Sequence, residues 1–399
     1  AVLDEGSKIA MLVGAGARGA TEEVLAVADR LGAGIITSLL GKDVVPGDVP
    51  HHTQQAGLLG SRPSYDMLQD CDTFLMVGSN YPYTEFLPPT GQARGVQIDL
   101  KAENLSLRYP MEVNLLGDVR ETLSGLLEHL QHHDDRSWQD GIARQMRDWD
   151  AITAELADVD ADPINPRYVY QELNRRLPHD VIVTADAGST ADWYGQHVKL
   201  GRGMDGSLSG SLASMLASMP YAVSAKFAHP GRPVVCTIGD GAFQMLGMNE
   251  LLTVKRYWQE WEDPRFIVLV LHNNDLTQVS WEMREAGDPR YDTSQEVEDM
   301  DYAAFADVLG LTGIRVDSKD EVAGAWDRAF AADRPVVLDV RTDPNTPPLP
   351  PHISLDEAKG MAASLAKGDP AEGSVISQSA RGMAAALFTK AKETLHRDG

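Results

Sequence analysis

Residues 234–274 read VVCTIGDGAFQMLGMNELLTVKRYWQEWEDPRFIVLVLHNN, and their pattern decides the fold. Val234 to Ile238 is an apolar, β-branched run of the kind that forms a buried strand. It empties into Gly239-Asp240-Gly241, and a helical pattern follows with Met245, Met248, Leu251, Leu252 and Val254. A second apolar run, Phe266 to Leu271, is predicted as a parallel neighbour strand and ends in His272-Asn273-Asn274. In an open α/β sheet, ligands bind beyond the carboxyl ends of parallel strands. Both polar clusters stand at such ends.

Their chemistry is oxygen chemistry. Asp240 offers a hard anionic oxygen and Asn274 an amide oxygen, the donors that magnesium prefers and often shares with phosphates. Gly239 and Gly241 allow close backbone approach, and the start of a helix favours negative charge. Gly-Asp-Gly alone reads as a turn before a helix. Joined to Asn-Asn at the end of the next buried strand, it reads as a diphosphate site closed by a divalent cation.

Working outward, the 399 residues suffice for two or three domains. With 35 Lys plus Arg against 59 Asp plus Glu, the formal net charge is −24, which opposes nucleic acid and anionic membranes. The only two cysteines, Cys71 and Cys236, make neither a disulfide framework nor a zinc spacing, so a cytoplasmic setting is expected. No run of eighteen apolar residues and no signal peptide is visible.

The expected class is α/β, with two Rossmann-like, doubly wound parallel-sheet domains. The first spans 1–130, a connecting helix 131–165, the second domain 166–345, and an arm and tail 346–399. The first domain opens with a strand, Lys8 to Val13, then Gly14-Ala15-Gly16-Ala17-Arg18-Gly19 before a helix. A nicotinamide site needs an acid at the end of the next strand. Ser38 follows Thr37 there, so the glycines read as a tight βα turn. Further strands are predicted at Ile35 to Thr37, Phe74 to Val77 and Gly95 to Ile98. In the second domain, strands are predicted at Val181 to Thr184, Gly313 to Val316 and Pro335 to Val340. The tail carries amphipathic pieces around Leu365 and Leu387, better suited to packing on the protein itself or to mobility than to a membrane.

The spacing of the two polar clusters resembles the cofactor motif of thiamine diphosphate enzymes. The chain is similar to the central and C-terminal domains of the pyruvate oxidase and acetolactate synthase group, above all the flavin-dependent pyruvate oxidases. The resemblance implies that Asp240, Asn274 and the Leu276 carbonyl bind Mg2+. It implies that Gly188, Ser189, Gly239, Gly241 and Ala242 line thiamine diphosphate. Within Ala213 to Pro220, it implies that Met215 props the bent cofactor while Ser214 and Leu216 touch its aminopyrimidine ring. Glu282 stands where relatives carry an acid near the reacting carbon, in a loop one residue shorter than theirs.

In the first domain, Gly57-Leu58-Leu59-Gly60, Gly78-Ser79-Asn80-Tyr81-Pro82 and Asp99 resemble flavin-contacting segments, implying FAD. The implied activity is decarboxylation of a 2-oxo acid, pyruvate first, with electrons passing to flavin. The alternatives are an acetolactate synthase-like carboligase and a non-catalytic cofactor-binding subunit. The family's aminopyrimidine-activating Glu comes from a pyrimidine domain, and the residues before Lys8 are too few to build one. That domain is expected in cis or in trans, in a homodimer or homotetramer.

Overall fold

The computed structural model describes residues 1–348 and 355–381. The described chain forms two compact units. One comprises 1–150 and 199–202, and the other 151–198, 203–348 and 355–381. The division falls inside the helix Ser137–Asp158. Each unit is built on a six-stranded parallel sheet covered by helices, an α/β doubly wound architecture.

The first sheet contains β1 (Ile9–Val13), β2 (Gly34–Thr37), β3 (His52–Gln55), β4 (Thr73–Val77), β5 (Arg94–Asp99) and β6 (Val113–Leu116), in the order β3-β2-β1-β4-β5-β6. Both faces of β1 are buried, as the all-apolar sequence of a central parallel strand requires. Met11 and Val13 join one core layer with Val24, Val27 and Leu75. Ala10 and Leu12 join the opposite layer with Phe74, Met76 and Met67. Helix Thr21–Leu31 buries Val24, Val27, Ala28 and Leu31, and stops at Gly32 in the left-handed conformation.

The second sheet contains β7 (Ile182–Ala185), β8 (Asp205–Leu208), β9 (Val234–Gly239), β10 (Phe266–His272), β11 (Thr312–Val316) and β12 (Val336–Arg341). Its order is β11-β12-β10-β9-β7-β8. The quoted stretch supplies the two central strands, in parallel register from Val234 opposite Phe266 to Gly239 opposite Leu271. The strand order reverses between β7 and β9, which puts a crevice at their carboxyl ends.

Three features depart from the sequence reading. Strands β3, β6 and β8 were not expected: HTQQ and DGSL carry no apolar run, and VNLL alternates between half-buried and exposed residues. The helical run after Gly239 is interrupted by a π-helical turn, Phe243–Gly247, a distortion frequent near functional sites. Of its apolar residues, Leu251 and Val254 are buried while Met245 and Leu252 are exposed. The tail piece around Leu365 is helix Leu355–Ala366, and that around Leu387 lies outside the described residues.

Candidate functional site

In the second unit, β10, β9 and β7 lie side by side, so their carboxyl ends bring Asn273-Asn274, Asp240 and Asp186 together. Asp240 is buried. Its Oδ2 accepts the backbone N–H groups of Asn273 (2.9 Å) and Asn274 (2.6 Å), and its Oδ1 accepts that of Gly241 (2.8 Å). Burial pushes the carboxyl up to about 6, against the pull of those three N–H groups and of His272.

Asn274 adopts a left-handed φ of 55°, a conformation that Asn tolerates better than most residues. Its Nδ2 donates to the Val297 carbonyl (3.2 Å), and its Oδ1 accepts Arg341 Nη1 (3.0 Å). The Leu276 carbonyl accepts the Ser280 N–H (3.1 Å). A Cβ on Gly241 would stand 2.6 Å from Leu276 Cδ2 and 3.8 Å from Met215 Cε. The fold therefore gathers Asp240, Gly241, Met215, Asn274 and Leu276 from segments far apart in sequence.

Met215 is held there by Asp186, which the sequence reading passed over. Asp186 is buried at the end of β7. One carboxylate oxygen accepts the N–H groups of Leu216 (2.6 Å) and Ala187 (3.0 Å). The other accepts the N–H (3.0 Å) and hydroxyl (2.6 Å) of Ser218. The 213–218 loop is pinned through these bonds, with Ala213 (φ 47°) and Leu216 (φ 66°) in left-handed backbone. Ser214 is exposed and donates its N–H to Ser209 Oγ (3.0 Å).

A second overlooked group stands behind the candidate ligands. His272 Nδ1 lies 2.8 Å from Asp339, and with its proton shared there, Nε2 accepts Arg341 Nη1 (2.7 Å). Arg341 also pairs with Asp299 (2.9 Å) and so presents its guanidinium to the Asn274 oxygen. The available signal was an ionisable residue inside each of two apolar strands, His272 and Asp339.

Gly188 caps the nine-residue helix Ser189–His197 with φ 79°. A Cβ there would find its nearest neighbour at 3.8 Å, and one on Gly239 would meet nothing within 4 Å. The cradle at the ends of β7 and β9 is open where the glycines stand. Ala242 is buried in the core behind it. Glu282 is exposed on helix Thr277–Glu285 and accepts Gln278 Nε2 (3.2 Å). Asp192 is buried with Oδ2 lacking a hydrogen-bond partner among the described residues. Burial, with Glu282 and Glu285 nearby, pushes its carboxyl well up from the usual carboxylate range.

In the first unit, the residues that resemble flavin-contacting segments also make contacts within the protein. Gly78 packs on the β1 turn: the Gly16 N–H donates to the Gly78 carbonyl (3.0 Å), and a Cβ on Gly78 would stand 2.7 Å from the Gly16 carbonyl carbon. Asp99 Oδ1 accepts the Lys101 N–H (2.8 Å) and Asn104 Nδ2 (3.1 Å), shaping its own loop. Asn80 accepts Arg108 Nε (3.1 Å), and the Ser79 carbonyl accepts Gln97 Nε2 (3.4 Å). The Tyr81 ring is buried against Gly57, and its hydroxyl lacks a partner among the described residues. Leu58 and Pro82 are exposed, Leu59 half-buried, and Gly60 closes on the Gly57 carbonyl (2.9 Å).

The second unit's donors fit a hard cation. A carboxylate accepts about four hydrogen bonds and a carbonyl about two. Asp240 uses three, and the Asn274 and Leu276 oxygens one each among the bonds described. Asp240 Oδ1 and the Asn274 and Leu276 oxygens keep capacity for magnesium. Among the described residues no group of three or more His, Cys, Asp or Glu could hold a metal ion.

Residues 186–340 match the family model of the thiamine pyrophosphate enzyme C-terminal TPP-binding domain, and residues 1–126 match that of the central domain. The chain thus carries both domains of the thiamine pyrophosphate enzymes and belongs to that family. It is 31% identical over 366 residues to YdaP of Bacillus subtilis (strain 168), a protein named for thiamine pyrophosphate, covering 92% of this chain and 62% of that protein. It is 29% identical to the acetolactate synthase isozyme 2 large subunit of Escherichia coli (strain K12), over 81% of this chain and 55% of that one. It is 25% identical to pyruvate oxidase of Lactiplantibacillus plantarum, over 88% and 58%. The chain therefore spans roughly three fifths or less of the length of these relatives.

Proposed function

We propose that this protein decarboxylates a 2-oxo acid, pyruvate first among candidates, with thiamine diphosphate and Mg2+, and passes the electrons to FAD. The observation that carries the reading is the convergence of Asp240, Asn274 and Leu276 beside an open glycine cradle at the reversal of strand order. Thiamine diphosphate, when bound, supplies the carbanion and the electron sink. The residues of this chain do the rest. Asp240, Asn274 and the Leu276 carbonyl hold the cation, and the N–H groups at the start of helix Ser189–His197 face the diphosphate. Met215 gives apolar support from a loop that Asp186 keeps rigid. Glu282 is the acid that the family resemblance places near the reacting carbon.

The aminopyrimidine's carboxylate is assigned, by the family resemblance, to a pyrimidine domain in cis or in trans. In support, Met245, Leu246 and Leu252 are each at least half exposed on the helical run after Asp240, as a surface covered by further protein would be. The active form is then at least a dimer.

The test supplies residues 1–399 with thiamine diphosphate, Mg2+ and FAD, with and without a pyrimidine domain bearing the Glu. Pyruvate-dependent CO2 release and flavin bleaching are expected only when that domain is present. Fast exchange of the cofactor's C2 proton in the 399-residue chain alone, followed by NMR, would overturn the need for it. The likeness to an acetolactate synthase favours carboligation as a second reading. Acetolactate formed without flavin reduction decides for it, and cofactor binding without turnover decides for a non-catalytic subunit.

A further inference from the structure

Helix Leu355–Ala366 packs against helix Thr277–Glu285, so the C-terminal segment touches the element that continues from the candidate metal loop. Gly360 permits the closest approach, with no room for a side chain against the Glu285 carbonyl. Lys367 Nζ then donates to the Gly287 carbonyl (2.7 Å) and pairs with Asp288 (3.1 Å).

The centre of this contact is an ion pair of unusual depth. Arg284 Nε and Nη2 reach the two oxygens of Asp369 at 2.9 and 3.2 Å, and the side chains are 1% and 0% exposed. Asp369 also accepts the N–H groups of Arg290 (2.9 Å) and Ala371 (2.9 Å). Arg290 Nε in turn donates to Asp275 Oδ1 (2.7 Å), which also accepts the Ser280 hydroxyl (3.0 Å). Asp275 directly follows Asn274. An unbroken set of charge-assisted bonds therefore runs from the C-terminal segment to the candidate metal loop.

A buried ion pair is weak evidence for stability, since an apolar pair of like volume often does as well. What the apolar pair cannot do is accept the Arg290 N–H. We propose that Asp369 is a positioning residue for the cofactor site: it fixes Arg284 and the main chain at Arg290, so that Arg290 holds Asp275 and, through it, the adjoining Asn274. The inference rests on the thiamine diphosphate reading.

The test compares the full chain with Asp369→Ala and with the double variant Arg284→Met/Asp369→Leu. Three quantities are measured: melting temperature, amide hydrogen exchange across 273–291 without cofactor, and affinity for thiamine diphosphate with Mg2+ by calorimetry. The double variant is expected to melt within a few degrees of the wild type, the cost of the N–H groups left without an acceptor, yet to lose protection across 273–291 and bind the cofactor roughly tenfold more weakly. Wild-type protection and affinity in the double variant would show that the pair serves packing alone, and the inference would fall. If the wild type itself binds no thiamine diphosphate, the functional reading falls and takes the cofactor role with it. Exchange across 273–291 would then still report whether the segment orders the loop.

Discussion

The two sheets are close in plan and opposite in the use of their glycines. Both have six parallel strands, and in both the strand order reverses beside a glycine-bearing turn. In the first unit the turn glycines serve the protein. A Cβ on Gly14 would overlap the Gly78 carbonyl oxygen, and one on Gly16 would stand 2.8 Å from it. In the second unit Gly188 and Gly239 face space, while the buried carboxylates beside them collect backbone N–H groups. A glycine pattern is therefore not a ligand site in itself. What its missing Cβ would meet separates a packed turn from a cradle.

The largest effect that can break this contrast is at Asp240. Asp240→Ala removes the proposed anionic ligand and leaves three N–H groups without their acceptor. Magnesium-dependent thiamine diphosphate binding is expected to vanish in calorimetry, with a stability loss of about 1–3 kcal/mol. Unchanged affinity would remove the second unit's claim to the site.

A matched pair of glycine substitutions sharpens it. Gly14→Ala should destabilise the protein by about 1–3 kcal/mol in denaturant titration, because the Gly78 backbone cannot yield cheaply. Cofactor affinity should not change. Gly239→Ala adds a methyl that meets no protein atom, so stability should stay within about 0.5 kcal/mol. Thiamine diphosphate should bind that variant about tenfold more weakly, a change of ~1.4 kcal/mol. The reverse pattern would mean that the two turns have been assigned to the wrong roles.

Flavin tests the first unit. FAD titration is expected to change fluorescence, with the Gly57–Gly60 and Gly78–Pro82 loops protected on binding. A colourless protein indifferent to FAD would leave the first unit as scaffold.

The smallest effect is a pH dependence. Burial pushes the Lys42 ammonium down to about 7 from 10.5, with nearby Lys199 adding to the shift. Between those values the unfolded chain binds a proton that the folded chain does not, so stability rises with pH across that window. Lys42→Met should lack this slope, which is at most ~1.4 kcal/mol per pH unit. FAD that flattened the wild-type slope would place an anion beside Lys42 and bring the first unit closer to the second.

How much was legible follows from how local each signal is. β9 and β10 announce themselves because strands buried on both faces must be apolar throughout, and Gly-Asp-Gly and Asn-Asn mark where they end. Their adjacency, and hence the meeting of Asp240 with Asn274, follows once both are read as parallel neighbours. β3 and β8 lack such a signal, since HTQQ and DGSL become strands by pairing with β2 and β7. The hold of Asp186 on Leu216 and Ser218 crosses a strand and a loop, and the Arg284–Asp369 pair spans 85 residues.

The sequence by itself determined the α/β class, the two central strands of the second sheet and the oxygen donors at their ends. Apolar periodicity and residue chemistry are properties of short stretches, and they survive without the rest of the chain. Only the tertiary structure decided which glycines face open space, which acids are buried and which cation reaches which carboxylate. Those depend on distances between segments remote in sequence, and burial, which sets the cost of leaving a polar group unpaired, exists only once the chain has folded.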